Sequence, residues 1–99
     1  MLKPEFSLND LQNYIKNKDN NPDQKINYFY KLIEEVGELS EVLRKNKRLT
    51  ESGEIKGTIE EELYDVLYYT VALANIHNIS LEECTFKKEE LNKEKWKNQ

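Results

Sequence analysis

The chain has 99 residues, of which 34% are charged and 37% apolar, with a formal net charge of −4. That length suggests one domain over 1–99 with a modest core, and the acidic balance argues against a nucleic-acid polymer or an anionic membrane as partner. Lys3, Pro4 and Glu5 break any apolar leader, no charge-free run of about 18 apolar residues exists, and the single Cys84 makes neither an internal disulfide nor a thiolate zinc site, so the expected setting is reducing and cytoplasmic.

After a lead over 1–6, Ser7 with Asp10 imitates a capping box. Leu8, Leu11, Tyr14 and Ile15 follow on one side of a helix expected over 7–18. Asp19-Asn20-Asn21-Pro22 is a turn cluster. Asn21 is placed to cap the next helix, 22–46, with Pro22 at its first position and Gln24 reaching back. On its wheel Leu32, Val36, Leu39 and Leu43 form a stripe that Phe29, Ile33 and Ser40 widen. Lys31, Glu35, Glu38 and Val42 form the adjoining row, with Tyr28 at its edge, and Glu34 and Glu41 point toward water. Gly37 weakens this helix by about 1 kcal/mol relative to Ala; close helix packing and a functional need are both open as reasons. The basic run from Arg44 to Arg48 suits a helix C-terminus and reads as structural rather than as a phosphate site.

Residues 49–57 are a loop holding two glycines. Thr58 with Glu61 reads as a capping box for a third helix, 58–78. From Leu63 to Ile76 that helix is apolar almost all round, which is the pattern of a buried helix. In so small a chain, part of its surface is expected to be covered by a second copy. Ser80 with Glu83 opens a last helix, 80–96, with Leu81, Cys84, Phe86, Leu91 and Trp96 sparse among charges. Trp96 is expected to pack this helix onto the bundle or a partner subunit. The expected fold is an all-α, four-helix bundle completed by homo-oligomerisation, as a homodimer or homotetramer.

Two acids stand on the inner side of the apolar third helix. At 100° per residue, Glu62 and Asp65 share a side with Tyr69, Ala72, Leu73 and Ile76. A buried carboxylate must be paired or hold a metal. Glu35 and Glu38 have the same three-residue spacing, and residues three apart on a helix are neighbours. Two such helices packed antiparallel bring four carboxylates together. Oxygen-only ligands suit Mg²⁺, with Mn²⁺ possible, and Mg²⁺ keeps positions for water and substrate phosphates. The bland alternatives are a solvated face for Glu35/Glu38 and a buried salt bridge for Glu62/Asp65. A carboxylate-bridged di-iron site needs Glu-x-x-His. The only histidine, His77, has Ala74 three residues before it, so that chemistry is excluded; His77 itself reads as a helix-end or solvent residue.

The segments KLIEEVGELSEVL at 31–43 and EELYDVLYYTVALANIHNISLEE at 61–83 resemble the MazG-like all-α nucleoside triphosphate pyrophosphohydrolases. The family pattern is EExxE on one helix and ExxD on the next. Here these are Glu34, Glu35 and Glu38, then 23 residues, then Glu62 and Asp65. The last helix of the family often carries Lys-x-x-x-Asn-x-x-Arg and an aromatic; this chain has Lys88, Asn92, Lys95 and Trp96, with lysine at the arginine position, which loses a bidentate phosphate fork. The resemblance spans roughly 6–96. It implies Mg²⁺-dependent hydrolysis of a (deoxy)nucleoside triphosphate to monophosphate and pyrophosphate, as nucleotide pool housecleaning. It implies that Glu35, Glu38, Glu62 and Asp65 hold the metal and that Glu34 or Glu35 orients or deprotonates the attacking water. Lys31, Lys88, Asn92 and Lys95 are then candidate phosphate contacts, each lysine otherwise a solvent-facing charge. Tyr69 either stacks on the base or is plain core. Asn75 either bonds a sugar or base or belongs to the helix end. The alternative function is a non-catalytic four-helix module for nucleotide binding or protein interaction.

Overall fold

The computed structural model describes residues 2–97, with four α-helices and no strand among them: α1 (Leu8–Lys18), α2 (Lys25–Lys45), α3 (Ile59–Ile76) and α4 (Leu81–Lys97). Ser7 accepts the Asp10 N–H while the Asp10 carboxylate accepts the Ser7 N–H, so the capping box of α1 is complete. At α3 only half a box forms. Thr58 Oγ1 accepts the Glu61 N–H at 3.2 Å, but the Glu61 carboxylate accepts from Gly57 instead. Gly57 has φ +78°, a conformation open to glycine. The start of α2 departs from expectation. Pro22–Gln24 form a 3-10 turn and the α-helix begins at Lys25, because the Asn21 side chain donates to the Tyr28 hydroxyl (3.1 Å) rather than capping.

α2 and α3 run antiparallel. Tyr28 lies beside Tyr69, ring centroids 6.4 Å apart, and at the other end the Ile59 N–H donates to the Lys47 carbonyl at 2.8 Å. α1 is antiparallel to α3 as well, with Gln12 against Asn75 and Asp19 against Tyr68. Leu11 and Ile15 of α1, Tyr28 of α2, and Val71 and Ala72 of α3 form the buried core. Gln12 is the polar bolt of this junction. Its amide nitrogen donates to Asn75 Oδ1 and to the Ile79 carbonyl, each at 2.9 Å, its oxygen accepts the Leu81 N–H, and Asn75 Nδ2 donates to the Gln12 carbonyl. α4 therefore starts against α1, where Glu82 also accepts the Asn9 N–H.

The face that α2 turns to α3 is Tyr28, Leu32, Glu35, Leu39 and Val42, a heptad-like series of buried and half-buried residues. This corrects the wheel reading. The row holding Glu35 and Val42 is packed, and much of the wider apolar stripe is not: Phe29, Ile33, Val36 and Leu43 are 47–54% exposed. One neighbouring helix covers only one stripe of a helix, and α2 carries two. α3 divides similarly, buried from Val71 to Asn75 except for half-buried Leu73, but open at Leu63, Tyr64 and Leu67. Phe86, Leu91 and Trp96 of α4 are exposed too. The accessible surface is 7782 Å², about 1,900 Å² more than area–mass scaling gives for a compact chain of this mass. No helix among the described residues is long and apolar enough to cross a membrane.

Candidate metal centre

The heptad face of α2 and the inner side of α3 bring Glu35, Glu62 and Asp65 together, with one carboxylate oxygen from each within 4.8 Å of the others. Glu62 is buried, and Glu35 and Asp65 are half-buried. Glu35 Oε2 and Glu62 Oε2 are buried without a hydrogen-bond partner. An unpaired buried carboxylate oxygen is costly, and no cation side chain lies within ion-pair distance of these acids among the described residues. The bland salt-bridge reading of Glu62 and Asp65 therefore has no partner to supply it. Glu38, one turn beyond Glu35, is exposed and stands outside the tight group. Its charge still reaches the others.

The electrostatics follow from the crowding. Burial pushes the Glu62 carboxyl up to about 8, helped by the Glu35 carboxylate opposite and the charges of Glu38 and Asp65. Burial, with Glu38 and Asp65, raises Glu35. Burial and the charge of Glu61 raise Asp65. Like charges that cannot all ionise hold a proton until a cation replaces it. An all-oxygen donor set with two unpartnered oxygens fits a hard divalent cation.

The other candidate residues separate into those at the acids and those away from them. Glu34 is exposed and paired with Lys31 at 3.4 Å, which keeps both near Glu35 but outside the cluster. Tyr69, one turn after Asp65, lines a concavity of about 340 Å³ with Lys18, Glu35, Tyr64, Asp65 and Tyr68. It also lines a second concavity, of about 250 Å³, with Asp19, Tyr28 and Lys31. Asn75 is not brought to the acids: both atoms of its amide are spent on Gln12. Lys88, Asn92 and Lys95 sit on α4, which packs mainly on α1, so the fold does not gather them at the cluster either. His77 is exposed at the end of α3. In the run from Arg44 to Arg48, Arg44 and Lys45 pair with Glu41, and Arg48 pairs with Glu60.

Sequence reasoning missed Lys18, Tyr64 and Tyr68 as lining residues. Lys18 entered the sequence reading only as the end of the first helix. Its ammonium lies 4.8 Å from the Tyr14 ring centre and 5.3 Å from that of Tyr68, a placement no periodicity announces.

Residues 24–94 match the sequence model of the MazG nucleotide pyrophosphohydrolase domain. The chain belongs to that family. Two crystal structures of iMazG from Vibrio DAT 722 are similar to it over almost their whole length. The C-terminally tagged form is 54% identical, with TM-score 0.82, covering 89% of this chain and 99% of that one. The N-terminally tagged form is 54% identical, with TM-score 0.83, covering 91% and 97%. No curated protein matches the chain. The all-α architecture and the family to which the sequence pointed are thus both shown, and the two acidic motifs fall inside the matched region.

Proposed function

We propose that this MazG-family chain hydrolyses a (deoxy)nucleoside triphosphate between its α and β phosphates with Mg²⁺, releasing monophosphate and pyrophosphate. The observation that carries this is the Glu35–Glu62–Asp65 cluster with its two unpartnered oxygens. Glu35, Glu62 and Asp65 hold the cation, and Glu38 adds charge from the next turn. A cation held there would supply positive charge against the phosphates and polarise their oxygens. Glu35, beside the cation, orients the attacking water and accepts its proton; Glu34 holds Lys31, one turn before Glu35, ready for a phosphate oxygen. Tyr69 supports the base by stacking. Lys88, Asn92 and Lys95 are assigned to phosphates bound by a second copy, because α4 lies on α1 rather than over the acids.

A homodimer, or a tetramer built from it, is part of the same reading. The second apolar stripe of α2, the open half of α3 and the surplus surface all call for a partner face. A cytoplasmic setting suits a nucleotide substrate.

The test is a panel of ribo- and deoxyribonucleoside triphosphates with Mg²⁺, with products separated and Asp65→Ala alongside. Monophosphate and pyrophosphate are expected, with turnover lower by at least about 100-fold in the variant, the scale of losing one preorganised electrostatic group. Diphosphate plus phosphate, or equal turnover by Asp65→Ala, rejects the assignment.

A further inference from the structure

One carboxylate outside the metal cluster is tied to all three core helices, and the cation chemistry does not use it. Asp19 ends α1, its N–H donating to the carbonyl of fully buried Ile15 at 2.8 Å. Its side chain receives two phenols from different helices. Tyr28 of α2 donates its hydroxyl to Oδ1, and Tyr68 of α3 donates to Oδ2 at 2.7 Å. Asn21 adds a donor to Oδ1 and also donates to the Tyr28 oxygen. A carboxylate is acceptor-only and offers two oxygens, so it can hold two hydroxyls at once. Hydrogen bonds to an ionised acceptor are also about twice as strong as neutral ones.

What those phenols touch gives the arrangement a use. Tyr68 meets Tyr69 edge-on, centroids 5.1 Å apart, and Tyr28 flanks it at 6.4 Å. Tyr69 is the wall common to both concavities, the one that holds Glu35 and Asp65 and the one that holds Asp19, Tyr28 and Lys31. Asp19 therefore lies outside the concavity that holds the acids, lines the neighbouring one, and fixes the two rings that meet Tyr69. Burial alone would push the Asp19 carboxyl up, but the bonds from Tyr28, Tyr68 and Asn21 hold it below the usual range, so it stays charged at neutral pH.

We infer that Asp19 is a positioning residue for the nucleoside end of the substrate: through Tyr28 and Tyr68 it presets the Tyr69 wall against which the nucleoside rests, while the acids hold the phosphate end. This rests on the proposed nucleotide chemistry. Preorganising a surface raises affinity by removing an ordering cost before binding. Loss of Asp19 thus weakens the grip on the nucleoside and leaves the grip on phosphates unchanged.

The experiment compares wild type, Asp19→Asn, Tyr68→Phe and the double variant. Readouts are kcat and KM for each nucleoside triphosphate, and inhibition by inorganic pyrophosphate, which has no nucleoside. Tyr68→Phe keeps the ring and its packing, so it guards against a folding failure of Asp19→Asn. Each single variant is expected to raise KM roughly three- to tenfold, the net worth of about one ordinary hydrogen bond, because the lost bonds act on the nucleoside only through the Tyr69 ring. Discrimination among bases narrows, kcat falls by much less, and the pyrophosphate inhibition constant does not move. The double variant is no worse than the worse single one, because the two groups act as a unit. Equal shifts in nucleotide KM and pyrophosphate inhibition, or no shift in either, would make Asp19 merely structural and overturn the inference. A wild-type chain that hydrolyses no nucleotide overturns the functional proposal and this inference together, whereas an active wild type with unmoved KM values in the variants overturns this inference alone.

Discussion

Glu62 has the least comfortable position in the molecule. It is 5% exposed, one of its oxygens has no partner, and its carboxyl is raised from 4.5 to about 8. A raised acid makes folding favour the protonated form. Its contribution to stability is therefore fully present below pH 4.5, where folded and unfolded chains both carry the proton. It is lost as pH rises toward about 8, because only the unfolded chain ionises freely in that window. Without metal, wild type should lose stability across that interval relative to Glu62→Gln, which has no proton to lose. At pH 7 the variant should be more stable by about 1–3 kcal/mol. Denaturant melts in EDTA at several pH values read both quantities, and parallel pH profiles would sink the account. In wild type, Mg²⁺ should raise Tm well beyond NaCl of matched ionic strength, because a cation relieves the repulsion among Glu35, Glu38, Glu62 and Asp65. In Glu62→Gln most of that excess should vanish.

Elements meet here through a few polar links set among apolar contacts. Gln12 and Asn75 join α1 to α3 and to the start of α4 with four hydrogen bonds. Asn75→Ala leaves the buried Gln12 amide short of partners and should destabilise the chain by about 2–3 kcal/mol. The bound-metal increment in Tm should survive, since Asn75 does not reach the acids; loss of that increment would restore Asn75 to the substrate site. α2 offers a second test. A methyl built on Gly37 would meet nothing within 4 Å, so close packing within this chain does not explain the glycine. By propensity alone Gly37→Ala should stabilise α2 by up to about 1 kcal/mol. If the glycine instead lets a second subunit approach, the variant should dissociate at higher protein concentration than wild type. Concentration-dependent light scattering separates the two.

At the scale of the whole molecule, one chain leaves too much surface open. The Cα radius of gyration is 15.9 Å, whereas compact domains of about 100 residues have about 13 Å. The surplus surface of about 1,900 Å² per chain is ample beside the 2,000–5,000 Å² total typical of obligate dimers, which is roughly half that per partner. The mass in solution should therefore be a multiple of 11.8 kDa. Ile33→Glu, on the open stripe of α2, should shift the protein toward monomer and lower its Tm. A wild-type monomer by light scattering would refute the assembly.

How much of this was legible in the sequence depends on whether the signal was local. The capping residues Ser7 and Thr58, the four helical periodicities and the inward lean of Glu62 and Asp65 are properties of single segments, and a helix repeats them every 3.6 residues. The acidic motifs, through their resemblance, pointed to the family. Which of the two stripes of α2 faces α3 was not legible, because both are apolar and only the packing partner chooses between them. The same holds for Asn21 and Asn75, whose amides take partners seven and 63 residues away. It holds most for Asp19, which reads as a turn residue and becomes the acceptor for two tyrosines. The sequence by itself determined the helices, the family and the acids that must be satisfied. The tertiary structure alone decided which acids converge, which polar groups pair across helices and which apolar face stays open, because those outcomes depend on contacts between segments distant in the chain.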